Sequence, residues 1–333
     1  MKNKITLEDH FAVQKTLEGS PYAATKIWDD LRHRLTDFES TRLRLMDQAG
    51  IEIMVLSLNA PGIQSIHDTA QAADTARRAN DFLAEQIARR PDRFAGFAAL
   101  PLQDPEMAAR ELERCVAELG FHGALAHGFS QVGSAQSVVY YDLPQYRAFW
   151  ATVEHLDVPF YLHPRNPLPG RTPNYDGHSW LIGPTWAFGA ETSVHALRLI
   201  ASGLFDAHPR LNIVVGHFGE GLPFYLWRID NHSKWMHEPH KYAAERSVGS
   251  YFRANFHVTT SGHLSAPALM HAISEIGAER IMFSADYPFE DIPEAAQWFD
   301  AASMSDADRQ KIGRANAMRL LKLGRTKEFA SAP

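Results

Sequence analysis

Short apolar runs recur along the chain, each opened by turn residues and closed by a polar or small cluster: KITLEDHF, EIMVLSLN, FAGFAALP, FHGALAHG, VPFYLHP, NIVVGHFG, ANFHVTTSG and RIMFSADYPF. Between most of them lie longer segments with apolar spacing near 3.6, among them TRLRLMDQAG, TARRANDFLAEQIARR, PEMAARELERCVAELG, VHALRLIASGLFDAH and PALMHAISEIG. Continuous apolar strands alternating with amphipathic helices predict a parallel sheet covered on both faces. Eight such units point to an α/β fold of the (β/α)8 TIM-barrel type, a single domain over residues 1–333 whose last helix lies in DADRQKIGRANAMRLLKLG. The alternative is a doubly wound open sheet, but no Gly-rich phosphate loop follows the first strand. Two stretches exceed ordinary barrel loops: residues 12–40 and the aromatic, Pro/Gly-rich residues 164–189. Long insertions of this kind after a strand are usually functional or interfacial.

Composition narrows the classes. A hydrophobic share of 45% with 22% charged residues is that of a soluble globular chain. A net charge of -6 without a Lys/Arg run gives no footprint for a nucleic-acid partner. The apolar stretches are strand-sized, so no membrane span is expected. The N-terminus lacks the basic start and apolar core of a signal peptide, and a cytoplasmic location is expected. The one cysteine, Cys115, excludes an internal disulfide; in the helical pattern RELERCVAEL it reads as a buried structural thiol. Histidine is abundant, at 17 residues.

In a barrel the C-terminal strand ends face one bowl, where residues distant in sequence converge. Glu8 and His10 are two apart on the first predicted strand and share a face, with Asp9 on the other. The ends of strands 5, 6 and 8 carry His163, His217 and Asp286. One such histidine is commonly structural, but five polar residues in register at strand ends point to a metal site. Mixed imidazole and carboxylate donors suit Zn²⁺, Mn²⁺ or Fe²⁺ better than Ca²⁺ or Mg²⁺. His122, His127, His178, His195, His232, His237, His240, His257 and His263 show no joint pattern, and packing or surface roles are their default.

Glu8-Asp9-His10, DVPFYLHPRNPLP around His163, GLFDAHPRLNIVVGHFGEGLPFYLWRID around His217 and RIMFSADYPFED around Asp286 strongly resemble the amidohydrolase-related aromatic decarboxylases over nearly the whole chain. His10 favours the γ-resorcylate branch, since the 2,3-dihydroxybenzoate and salicylate branches tend to have a small residue there. The resemblance implies an amidohydrolase-like barrel with one divalent metal, Mn²⁺ or Zn²⁺, held by Glu8, His10, His163 and Asp286, and no organic cofactor. It implies a small aromatic carboxylate as substrate, 2,6-dihydroxybenzoate converted to resorcinol and CO2, with His217 beside it. Departures from the family pattern sit near the bowl: His127 in GALAHGFS and His263 in TTSGH where asparagine is usual, Tyr287 where tryptophan is usual, and a shorter SPYAATKIW loop.

Loss of CO2 straight from a ring would leave an aryl anion, so the carboxyl-bearing carbon must be protonated first. Asp286 is the candidate acid and His217 a substrate hydrogen-bonder. Glu220 orients His217, or else serves as a helix N-terminal acid. Pro21, Tyr22, Trp186 and Phe188 are candidate apolar ring contacts, and His127 is a candidate substrate-binding residue. The same metal could instead activate water against a lactone, ester or amide, with Asp286 as base. A non-catalytic binding barrel is the third reading, against which the intact strand-end residues argue. Arg228, about two turns beyond Glu220 on the helix after strand 6, should not reach its own metal. Its bland role is a surface salt bridge, for instance with Asp230. The resemblance implies instead a substrate-binding arginine that reaches across a two-fold interface towards the partner's active site in a homodimer or tetramer, with LPFYLW and Trp235 supplying the buried patch.

Overall fold

The computed structural model describes residues 1–18, 25–168, 172–234 and 242–324. The eight apolar runs form eight strands: β1 (Lys4–Phe11), β2 (Ile51–Leu58), β3 (Phe94–Gly96), β4 (Ala124–His127), β5 (Phe160–His163), β6 (Ile213–Val215), β7 (Phe256–Thr259) and β8 (Ile281–Met282). Each is followed by an outer helix: Thr41–Ala49, Thr69–Arg89, Pro105–Ala117, Arg147–Leu156, Ala187–Ala201, Leu222–Ser233, Ala266–Ile276 and Ile292–Ala301. Aspartates placed ahead of the helical periodicity cap several of them; Asp104 accepts from the N–H groups of Glu106 and Met107.

Strands β1 to β3 pair in order, as do β4 to β8, all in parallel. The seam between β3 and β4 is closed by an isolated bridge, Ala98 to Ala124. Between β8 and β1 the closure runs partly through a side chain. Ser284 Oγ accepts from the N–H groups of Leu7 at 3.2 Å and Glu8 at 2.7 Å, and His10 N–H donates to Tyr287 O at 2.6 Å. The result is the (β/α)8 barrel that the alternating pattern predicts.

Two apolar layers hold it. Inside lie Ile5, Leu7, Val55, Phe97, Leu125 and Met282, with Ala317 and Leu321 from the C-terminal helical segment. That segment plugs the N-terminal end of the barrel: Leu321 O meets His122 Nδ1 at 2.7 Å and Lys322 Nζ reaches Asp157 O at 2.6 Å, both just before β4 and β5. Outside, the opposite strand faces pack on the helices, as where Phe160 meets Trp150 and Phe149 with ring centroids 5.0 and 5.9 Å apart.

Strand β1 contains the irregularity that matters most for the bowl. Thr6 pairs with Met54 and Asp9 with Leu56, so three steps on β1 oppose two on β2. This is a β-bulge, and it shifts the alternation by one residue. Ile5 and Leu7 below it are inside the barrel, and so are Glu8 and His10 above it. A regular strand would have put those two pairs on opposite faces.

Candidate metal centre

The bulge places Glu8 and His10 at the bowl, β5 ends on His163, and the turn after β8 brings in Asp286. One donor atom from each of these four lies within 4.8 Å of all the others. His163 Nε2 stands 3.3 Å from Glu8 Oε1, and His10 Nε2 stands 3.3 Å from Asp286 Oδ1. Neighbouring ligands on one transition metal, with bonds of about 2.1 Å, are roughly 3.0–3.4 Å apart, so this spacing fits a shared ion. Glu8 Oε1, His10 Nε2 and Asp286 Oδ1 are buried with no hydrogen-bond partner among the described residues. Buried polar atoms are rarely left so, and three aimed at one point are what a cation would satisfy. Two imidazoles and two carboxylates match the borderline donor set of Mn²⁺ or Zn²⁺.

The outward atoms of the same side chains are anchored. Glu8 Oε2 accepts from Tyr161 OH, Ser261 Oγ and, at 3.1 Å, Thr259 Oγ1. His10 Nδ1 meets Ser57 Oγ at 3.1 Å, and His163 Nδ1 meets Pro164 O at 2.8 Å. A Cβ on Gly216 would lie 2.7 Å from Glu8 Oε2, so the end of β6 has to be glycine for the carboxylate to fit. Asp286 itself sits in the left-handed region at φ 67°. Its neighbour is tied to β1: Tyr287 N–H donates to Asp9 Oδ1 at 3.1 Å, and Arg42, fully buried, donates to His10 O at 2.8 Å while lying 4.8 Å from the Tyr287 ring centroid.

His217 and Glu220 follow β6 on a tight irregular turn with φ 51° and 54°. Left-handed backbone at such residues costs on the order of 1–3 kcal/mol each and clusters at functional sites. The turn brings His217 Nδ1 to 2.8 Å from Glu220 Oε1 and His217 Nε2 to 3.7 Å from Asp286 Oδ2. Gly262, at φ 58°, passes so close that a Cβ would lie 2.9 Å from His217 Cδ2.

Burial pushes the Glu8 carboxyl up, His217 opposes this and Asp286 adds to it. Burial also works against charge on Asp286, but the neighbouring His10 and His217 imidazoles prevail and hold it below the usual carboxylate range. Desolvation disfavours charge on His217, yet Glu220 and Glu8 hold it well above the usual imidazole range, as an imidazolium. Burial and the surrounding imidazoles keep His163 well below that range, and hence neutral and able to ligate.

Beside His217 opens a cleft of about 1010 Å³ lined by Trp186, Phe188, His217, Glu220, Arg228 and His263. Arg228, placed by its helix position away from the metal, thus shares the cleft with His217. Asp230 is occupied by the Gly249 N–H at 3.0 Å. Pro21, Tyr22 and Trp235 lie outside the described residues. His127, expected either to pack or to contact substrate, has both ring nitrogens within 2.8 Å of protein atoms, His163 Nδ1 and Leu58 O. Reading the strand ends missed Tyr161, Ser57, Thr259 and Ser261, whose only signal is their position within two residues of a strand end.

The chain matches the amidohydrolase family model over residues 21–323. Gamma-resorcylate decarboxylase of Rhizobium radiobacter is 60% identical over 324 residues, 97% of this chain and 99% of that protein. The crystal structure of 2,6-dihydroxybenzoate decarboxylase complexed with 2,6-dihydroxybenzoate superimposes with a TM-score of 0.94 at 60% identity, covering 97% of this chain and 100% of that one. Dihydroxybenzoic acid decarboxylase from Polaromonas sp. JS666, with manganese and the inhibitor 2-nitroresorcinol bound, gives 0.95 at 58% identity, covering 99% and 100%. The bound manganese of that relative agrees with the four-residue donor group found here. With a barrel matched along nearly its full length, the chain belongs to the amidohydrolase family, among its metal-dependent aromatic decarboxylases.

Proposed function

We propose that the protein removes CO2 from an ortho-hydroxybenzoate, with 2,6-dihydroxybenzoate giving resorcinol as the preferred reaction. The observation that carries this reading is the chain Glu220–His217–Asp286, which leads from the cleft to the four-residue donor group. A 60% identical relative crystallised with 2,6-dihydroxybenzoate supports the choice of substrate. Glu8, His10, His163 and Asp286 would hold one divalent transition metal, Mn²⁺ or Zn²⁺. When bound, that ion acts as a Lewis acid and template for the carboxylate and phenolate oxygens.

The chain's own groups handle the proton. Asp286 delivers it to the carboxyl-bearing ring carbon, the electron pair of the new C–H bond coming from the ring as the ionised ortho hydroxyl becomes a carbonyl. The carboxylate is then β to a carbonyl, CO2 leaves, and the electron pair of the broken C–C bond restores the aromatic ring. Left alone, Asp286 is a poor donor because His10 and His217 favour its ionised form. An anionic substrate arriving beside it favours the protonated form. His217, an imidazolium 3.7 Å away and held charged by Glu220, is the reserve from which that proton is replaced. His217 also places a positive charge where the substrate's charge must sit. Trp186 and Phe188 supply apolar ring contacts in the cleft.

The whole chain, 1–333, is read as one barrel domain acting in the cytoplasm, a location that the single buried thiol of Cys115 fits. The working unit is a homodimer or a dimer of dimers. Phe224, Tyr225 and Trp227 are 72, 48 and 74% exposed around Arg228, an apolar patch suited to burial against a second copy. A two-fold contact there lends the same arginine to each partner, and its rigid fork can take a carboxylate in two bonds.

CO2 release on a panel of hydroxybenzoates and lactones tests the reaction; 2,6-dihydroxybenzoate should lead, 2,3-dihydroxybenzoate and salicylate follow, and resorcinol should be carboxylated at high bicarbonate. Turnover of no ortho-hydroxybenzoate sinks the reading. His10→Ala and His163→Ala should each lose metal by elemental analysis, and full activity of verified metal-free protein contradicts the scheme. Asp286→Asn should keep measurable metal and substrate binding but lose turnover and ring-proton exchange with deuterium; exchange at the wild-type rate excludes its role as donor. Arg228→Ala should weaken association in sedimentation or raise KM with metal content intact, and a variant unchanged in both removes the interface role.

A further inference from the structure

We infer that His127 is a positioning residue that fixes the tautomer of His163 and so presents His163 Nε2, bare, to the metal. The inference rests on the ligand set proposed above and extends it to a residue that touches neither metal nor substrate. His127 is the last residue of β4 and pairs in register with His163, the last of β5, so the two imidazoles project side by side. Their centroids are 4.6 Å apart at 81°, and the two Nδ1 atoms are 2.8 Å apart.

Two nitrogens at that distance share one hydrogen, one ring donating and the other accepting. Which ring donates is decided at the far side of His127. Its Nε2 lies 2.8 Å from the Leu58 carbonyl oxygen, which can only accept. Nε2 therefore carries the hydrogen of the neutral ring, and His127 Nδ1 is the acceptor. His163 Nδ1 must then be the donor, an assignment that the Pro164 carbonyl at 2.8 Å also requires. The remaining nitrogen, His163 Nε2, is left with its lone pair. It is the atom that stands 3.3 Å from Glu8 Oε1 within the donor group.

The ring of His127 is clamped. It is 2% exposed, and Gly62, in the turn after β2, lies so close that a Cβ there would sit 2.7 Å from His127 Cδ2. The turn after β2 thus reaches the metal through two imidazoles in series. Partners that orient a ligating histidine in this way typically alter metal affinity about 10–100-fold when removed.

Three full-length proteins separate this role from mere packing: wild type, His127→Leu, which fills the site without an acceptor, and His127→Asn, whose Oδ1 replaces Nδ1 as acceptor. Their Mn²⁺ and Zn²⁺ dissociation constants are measured by chelator competition, with folding checked by circular dichroism. His127→Leu should bind about 10–100-fold more weakly and His127→Asn within a few-fold of wild type. Magic-angle-spinning NMR of zinc-loaded, 15N-histidine-labelled wild type should show one N–H···N pair between two imidazoles, absent from His127→Asn. A folded His127→Leu that binds both metals as tightly as wild type overturns the inference, as does a spectrum without the pair, which decides alone if His127→Leu does not fold. Wild type that binds neither metal overturns the ligand set itself, and with it this role.

Discussion

Two carboxylates are held out of water at the mouth of the barrel, and the surrounding structure is organised around that cost. Glu8 is fully buried and Asp286 is nearly so, and moving such groups from water into protein is expensive unless they are paired. Two devices offset that cost: a shell of hydroxyls on Glu8 Oε2 and the imidazolium of His217. What remains is a set of three partnerless donor atoms around one point. A divalent cation would complete this electrostatic arrangement.

The barrel supplies that convergence by unequal means. The β4–β8 sheet is regular and brings His127 beside His163 through register alone. The seam between β8 and β1 is irregular: a serine hydroxyl replaces ladder bonds there, and Arg42 and Asp9 fasten β1 to the turn that carries Asp286. Left-handed backbone at His217, Glu220 and Asp286 lies in the same sector. Left-handed non-glycine backbone also occurs at Asn3, Asp157 and Lys322, away from the bowl.

Above the donor group the protein changes character. The cleft wall combines aromatic rings with His217 and Glu220, and its rim extends onto Phe224 and Tyr225, which are exposed. Arg228 lies where the cleft meets the exposed patch, so any partner covering that patch would also change the cleft.

The order of strands and helices was legible along the chain because burial on both faces forces β-strands to be continuously apolar, and because helices keep a 3.6 spacing. The strand-end residues Glu8, His10, His163, His217 and Asp286 were legible for the same reason: once a barrel is recognised, one end of every strand faces the bowl. Local pattern could not reveal the bulge between Thr6 and Asp9, which puts Leu7 and Glu8 inside together, since register is set by the neighbouring strand. It left His127 as either a packing histidine or a substrate contact, because its partners, Leu58 on one side and His163 on the other, are 69 and 36 residues away. The sequence by itself determined which donors the protein owns and at which strand ends they stand. Tertiary structure alone decided which nitrogen and which oxygen of each faces the common point, because that choice depends on hydrogen bonds between segments that meet only when the barrel closes.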